Sequence, residues 1–159
     1  MGDQKTPATE AMWQAFRAAN PDVADHYDVT AFGDSPAMQD ELADLVVNGP
    51  KRATAGAYRW YEPSDEPIAS VGGHVVLVDG GGKPRAVWRT TDVHIGPLDE
   101  VTDSFAWDEG EGDRSRAYWL DAHRRFFKRG FEQQGWEYHD AIPTVFERFT
   151  VVWPPEIAD

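Results

Sequence analysis

The chain has no cysteine among its 159 residues, which excludes disulfides, thiolate metal sites and a cysteine nucleophile. Nothing therefore argues for an oxidising compartment. It also lacks any apolar run approaching the ~20 residues that span a bilayer. Met1-Gly2-Asp3-Gln4-Lys5 leads into no continuous apolar stretch, so no secretory signal is read there and a cytoplasmic location is expected. Positive charge is scarce. Only 15 Lys and Arg face 28 Asp and Glu, for a formal net charge of −13. Affinity for a phosphate backbone comes largely from cationic side chains. The balance thus disfavours a long RNA duplex and favours a neutral or lightly charged small ligand, or a short segment.

What is present is a core. Hydrophobic residues make up 41% of the chain, with 7 Trp, 8 Phe and 5 Tyr, and a chain of this length buries roughly 70% of its unfolded surface. Thr6-Pro7 predicts a helix start, with Thr9, Met12, Trp13 and Phe16 on one face and Asn20-Pro21 ending it. Residues 27–32 alternate like an edge strand. Ser35-Pro36 opens a second helix carrying Met38, Leu42, Leu45 and Val46, which stops at Asn48-Gly49. A β-prone segment at 53–60 is followed by a polar, proline-containing loop at 62–67. A buried strand at 75–78 turns at Gly80-Gly81-Gly82 into a strand at 85–93. An acidic, glycine-interrupted loop spans 108–113. Asp113 or Ser115 then caps a long helix with Trp119, Ala122, Phe126 and Phe127, and a last strand covers 144–153.

Strands and helices do not alternate regularly, which argues against a doubly wound parallel sheet. The expected fold is α+β: a small, mostly antiparallel β-barrel with flanking helices. One domain is expected over 1–159, with 1–26 as an N-terminal helical extension and 27–155 as barrel and helices.

Lys51 and Thr54 stand where the chain enters its first core strand. A lysine acts as a base only when partly neutral, so a basic role requires burial that lowers its pKa well below the ordinary ~10.4. A desolvated lysine beside a hydroxyl and a carboxylate would activate Thr54 or a water for attack on an acyl carbon. The same spacing is also that of a solvated cation after a helix C-terminus, the reading that spacing alone favours. Asp108-Glu109-Gly110-Glu111-Gly112-Asp113 does not match a twelve-residue calcium loop. Its acids suit a divalent cation, one general acid/base or a simple helix cap.

The histidines (His26, His74, His94, His123, His139) show no metal-binding spacing, so no metal and no cofactor is expected. His123, one turn past Trp119, reads as a packed residue. Gly80-Gly81-Gly82-Lys83 lacks the spacing of a phosphate loop. Trp107, beside the acidic loop, is the aromatic best placed to stack a base.

Several segments in order, rather than any one motif, carry a resemblance. They are Ala31-Phe32-Gly33-Asp34-Ser35-Pro36, Ala43-Asp44-Leu45-Val46, Gly49-x-Lys51-x-x-Thr54, the run from Ala106 to Ser115, Tyr118-Trp119 with His123 and Phe126-Phe127, and Glu147-Arg148-Phe149. Together they resemble the longer bacterial ASCH-domain proteins. The resemblance implies a PUA-like barrel, a fold related to modules that bind RNA or modified bases. In a shorter relative, a lysine, a threonine and a glutamate form the proposed site of an amidohydrolase that deacetylates N4-acetylcytidine. Lys51 and Thr54 match the first two positions, and the glutamate falls at Glu109 or Glu111, with Glu109 fitting slightly better. Other members have been described as ribonucleases, so a ribonuclease and a non-catalytic reader of RNA or modified bases remain alternatives. Arg52, Trp107, Arg114 and Ser115 are the candidate substrate-binding residues.

Overall fold

A computed structural model of the chain describes residues 5–61 and 68–159; the expected polar loop at 62–67 lies outside the described residues. Helix α1 (Pro7–Ala19) begins where the sequence places it. The Thr9 N–H donates to the Thr6 hydroxyl, and the Thr6 N–H donates to the Thr9 hydroxyl at 2.8 Å, a reciprocal cap. Its buried face carries Thr9, Trp13 and Phe16, and Trp13 Nε1 is satisfied by Asp25 at 2.9 Å.

Strand β1 (Asp28–Thr30) is a short edge strand, and α2 (Pro36–Val47) follows it with the Ser35 hydroxyl as cap. Strand β2 (Ala53–Ala57) covers only part of the expected β segment, because Tyr58–Trp60 winds into a 3₁₀ turn. Strands β3 (His74–Val78) and β4 (Pro84–Pro97) form the expected hairpin, with Gly82 at φ 78° in the turn. Strand β4 runs past residue 93 because its outer half pairs with β5 (Pro143–Trp153).

The five strands form one sheet in the order β1-β3-β4-β5-β2. Only β1 and β3 run parallel; the other pairs are antiparallel. The expected barrel takes the form of a curled half-barrel with helices against it. Irregular register at Val87/Trp88 and Thr90/Asp92 lies in its longest strand, where such bulges increase bend and twist. Trp13 and Phe16 of α1 pack on Val76, Val78 and Val87. Phe32 and α2 residues Ala43 and Val46 pack with Trp88, Phe149 and Val151.

One helix was not expected. The stretch read as loop from residue 108 begins inside α3 (Asp103–Glu109), so Asp108 and Glu109 are helical. Thr102 caps its start, and Gly110 at φ 74° ends it in the left-handed region. Helix α4 (Arg116–Gln133) follows, with Ser115, not Asp113, as its N-cap. Helices α3 and α4 enclose Phe105, Trp119 and Phe127 with Ala53 and Phe146 of the sheet. Among the described residues, no helix is long and apolar enough to cross a membrane.

Candidate functional site

Lys51 is only 1% exposed, and its neighbourhood explains how a lysine comes to be there. Gly49 leaves α2 at φ 71°. The Lys51 N–H then donates to the Leu45 carbonyl at 3.1 Å, and the Arg52 N–H to the Asp108 carbonyl at 2.7 Å. The end of α3 lies so close that a Cβ on Gly110 would stand 2.9 Å from the Lys51 nitrogen. That contact and its positive φ require glycine there.

The Lys51 ammonium uses all three of its donors. Nζ donates to the Ala53 carbonyl at 2.9 Å, to Glu109 Oε1 at 3.3 Å and to Glu111 Oε2 at 2.9 Å. It also lies 5.0 Å from the centre of the Phe32 ring, a favourable placement for a cation.

Glu109 is 2% exposed and is held from three sides. Besides Lys51, it accepts from Trp119 Nε1 and bonds His123 Nε2 at 3.1 Å. The other ring nitrogen of His123, Nδ1, meets the Trp119 carbonyl at 2.9 Å. A carbonyl oxygen and a carboxylate oxygen both only accept, so both ring nitrogens carry protons and His123 is an imidazolium. Its ring stacks on Trp119 with centroids 3.7 Å apart.

The charges sort themselves accordingly. Burial pushes the Lys51 pKa down, but Glu109 and then Glu111 outweigh it, and the net shift is upward. The depressed pKa required of a basic Lys51 is therefore corrected: this lysine stays charged. Burial favours the neutral acid at Glu109, yet Lys51 and His123 hold its carboxyl far below the usual carboxylate range. His123 is likewise raised, because Glu109 overcomes the cost of burial. Glu111 moves the other way. Burial raises its pKa, and Glu109 adds to this against the pull of Lys51. Its side chain is also the least buried of the four, at 21% exposed.

Ligand atoms of Glu109, Glu111 and His123 lie within 4.8 Å of one another, but this set does not fit a metal. Lys51 Nζ already bonds both carboxylates, and an imidazolium has no lone pair to give.

The remaining expected residues disperse around this cluster. Thr54 lies in β2 opposite Glu147 of β5, not in the Lys51 hydrogen-bond network. Arg52 is fastened elsewhere: Nη2 and Nε reach Asp159 at 2.8 and 2.9 Å, and Nη1 bonds the Val46 and Lys51 carbonyls. It anchors the Lys51 backbone. Trp107 is 56% exposed, with the Arg114 guanidinium 3.7 Å from its ring centre and Arg114 Nε donating to its carbonyl. Ser115 caps α4 by accepting from the Tyr118 N–H. Sequence reasoning did not single out Glu147 or assign His123 a role at the site. Glu147 gave a signal, a lone acid in the apolar run Val145-Phe146-Glu147-Arg148-Phe149.

A family model described as the ASCH domain matches residues 28–153. The chain belongs to the ASCH domain family. The fold agrees. The crystal structure of an ASCH domain from Lactobacillus crispatus is 28% identical, with a TM-score of 0.84 over 96% of this chain and 98% of that one. Protein EF3133 from Enterococcus faecalis is 33% identical, with a TM-score of 0.81 over 91% of this chain and 88% of that one. No curated protein matches. Helix α1 precedes the stretch matched by the family model.

Proposed function

We propose that this ASCH domain hydrolyses the amide of an N4-acylated cytidine nucleoside, with Glu111 as the proton carrier and Lys51 as the fixed positive charge. The observation that carries the reading is Glu111: a partly exposed carboxyl with a raised pKa, bonded at 2.9 Å to a buried ammonium. A general base works best with a pKa moved toward the operating pH. Lys51, being charged, serves as an electrostatic group rather than a base.

Ionised Glu111 takes a proton from water as the water oxygen adds to the acyl carbon. The carbonyl electron pair moves onto its oxygen. Protonation loosens the hold of Glu111 on the third N–H of Lys51, which then turns to the new oxyanion. Collapse breaks the C–N bond, and the leaving N4 amine takes the proton back from Glu111. The products are a carboxylic acid and cytidine. Glu109 remains ionised throughout and keeps Lys51 charged.

The net charge of −13 supports a nucleoside over polymeric RNA. Incubating the protein with N4-acetylcytidine is expected to release acetate and cytidine. Intact N4-acetylcytidine beside cleaved single-stranded RNA would instead favour the ribonuclease. Trp107 offers a face for stacking once Arg114 swings aside. Trp107→Ala is expected to raise KM by about tenfold, in line with the ~1–3 kcal/mol of a stacked base, without lowering the melting temperature.

A further inference from the structure

Glu147 takes no part in that scheme, yet it is 8% exposed and has no cation beside it among the described residues. Both of its hydrogen bonds end on one oxygen: Trp88 Nε1 donates to Oε2 at 3.0 Å and the Thr90 hydroxyl at 2.7 Å. Oε1 has no partner among the described residues. Arg124 Nε is the one fully sealed side-chain nitrogen or oxygen there that lacks a partner, so Oε1 is unpaired without being wholly closed off. The same holds for the Thr54 hydroxyl.

These two free groups are neighbours. Glu147 and Thr54 are directly opposed in the β2–β5 ladder, so their side chains leave the same face with Cβ atoms about 4.5–5.5 Å apart. Burial raises the carboxyl pKa of Glu147. With Oε2 accepting two donors, the proton of the neutral acid belongs on Oε1. Burial with no cation beside it favours the neutral acid, and in that form the pair presents a carboxyl O–H beside a hydroxyl that either donates or accepts.

We propose that Glu147 and Thr54 form a specificity pair that reads the N3/N4 edge of a cytosine-type base, an assignment that rests on the nucleoside reading above. Cytosine N3 is an acceptor and meets the Glu147 O–H, while the N4–H meets the Thr54 oxygen. Uracil presents an N3–H and a carbonyl at the same positions, so a donor faces a donor. A site built around such polar groups rejects the mismatched base because its own groups are left unpaired.

The test is equilibrium binding of cytidine and uridine to wild type, Glu147→Gln and Glu147→Leu, with N4-acetylcytidine turnover measured on the same preparations. Wild type is expected to prefer cytidine. Glu147→Gln keeps that preference, because its oxygen accepts from Trp88 and Thr90 while its NH₂ donates to N3. Glu147→Leu loses cytidine affinity by about tenfold to a hundredfold, the loss expected for one buried hydrogen bond, and KM rises far more than kcat falls. A wild type that binds cytidine no better than uridine overturns the pair. So does a folded Glu147→Leu with unchanged discrimination, or a Glu147→Gln that loses it. If cytidine preference is present and lost in Glu147→Leu while wild type shows no turnover, the hydrolase reading falls and the pair stands. If turnover is present but discrimination ignores Glu147, the pair falls and the hydrolase stands.

Discussion

Lys51→Met is expected to cost about 3–5 kcal/mol of folding stability, the usual penalty for removing one partner of a buried ion pair. Methionine fills most of the space, so the loss is electrostatic rather than a cavity effect. Glu109, 2% exposed, keeps its bonds from Trp119 and His123 but loses its ammonium, and Glu111 loses its partner as well. Urea unfolding measures the difference. Adding Glu109→Gln to Lys51→Met is expected to recover part of it, since the buried carboxylate is then gone. The pH dependence follows. In wild type the depressed Glu109 pKa contributes stability that is full above the unfolded carboxyl pKa. That stability is lost as acid protonates the folded state. Lys51→Met removes the main attraction behind the depression, so its stability falls less on acidification. A Lys51→Met protein within about 1 kcal/mol of wild type would mean that the pair is not structural.

Glu111→Gln is expected to do the opposite: lower kcat by about 10²–10⁴-fold, the usual worth of a general acid/base, with little change in stability. Glutamine still accepts from Lys51, and its side chain lies at the more exposed end of the network. The wild-type rate is expected to rise as pH climbs through the Glu111 pKa, which burial and Glu109 place above the ordinary carboxyl value. The base must be ionised to act, so activity is lost below that point. In Glu111→Gln this limb flattens. A pH profile unchanged by the substitution would assign the proton transfer elsewhere.

Much of the fold was legible because the signals were local. Thr6-Pro7 and Ser35-Pro36 are caps with a proline behind them, and each starts a helix where the sequence says. The 3.6-residue repeat of Thr9, Trp13 and Phe16 is the buried face of α1. Helix α3 escaped because seven residues are too few for a clear repeat, although Thr102 and Gly110 mark its two ends. The length of β4 escaped because its outer half is decided by β5, more than forty residues away.

At the site, the residue types were readable and their charge states were not. Lys51, Glu109 and Glu111 meet in one hydrogen-bond network that does not include Thr54. Yet spacing cannot say whether burial or an opposite charge wins for a lysine. Here two carboxylates win. Nor does spacing divide the glutamates. Glu109, the better fit by sequence, is locked by Trp119 and His123, whereas Glu111 retains access to solvent. His123 reads as a packed residue and is one, but its position opposite Glu109 depends on how α3 meets α4. Arg52 reads as a substrate-binding residue in the sequence and is engaged by Asp159, a partner 107 residues away.

Carboxyl-carbon NMR of the protein, titrated with acid, tests the division between the two glutamates most directly. The predicted result is that the Glu111 carboxyl titrates above its ordinary value of 4.5 while Glu109 stays ionised well below its own. The contradictory result is the reverse: Glu109 taking up the proton near neutral pH and Glu111 titrating as a free carboxylate.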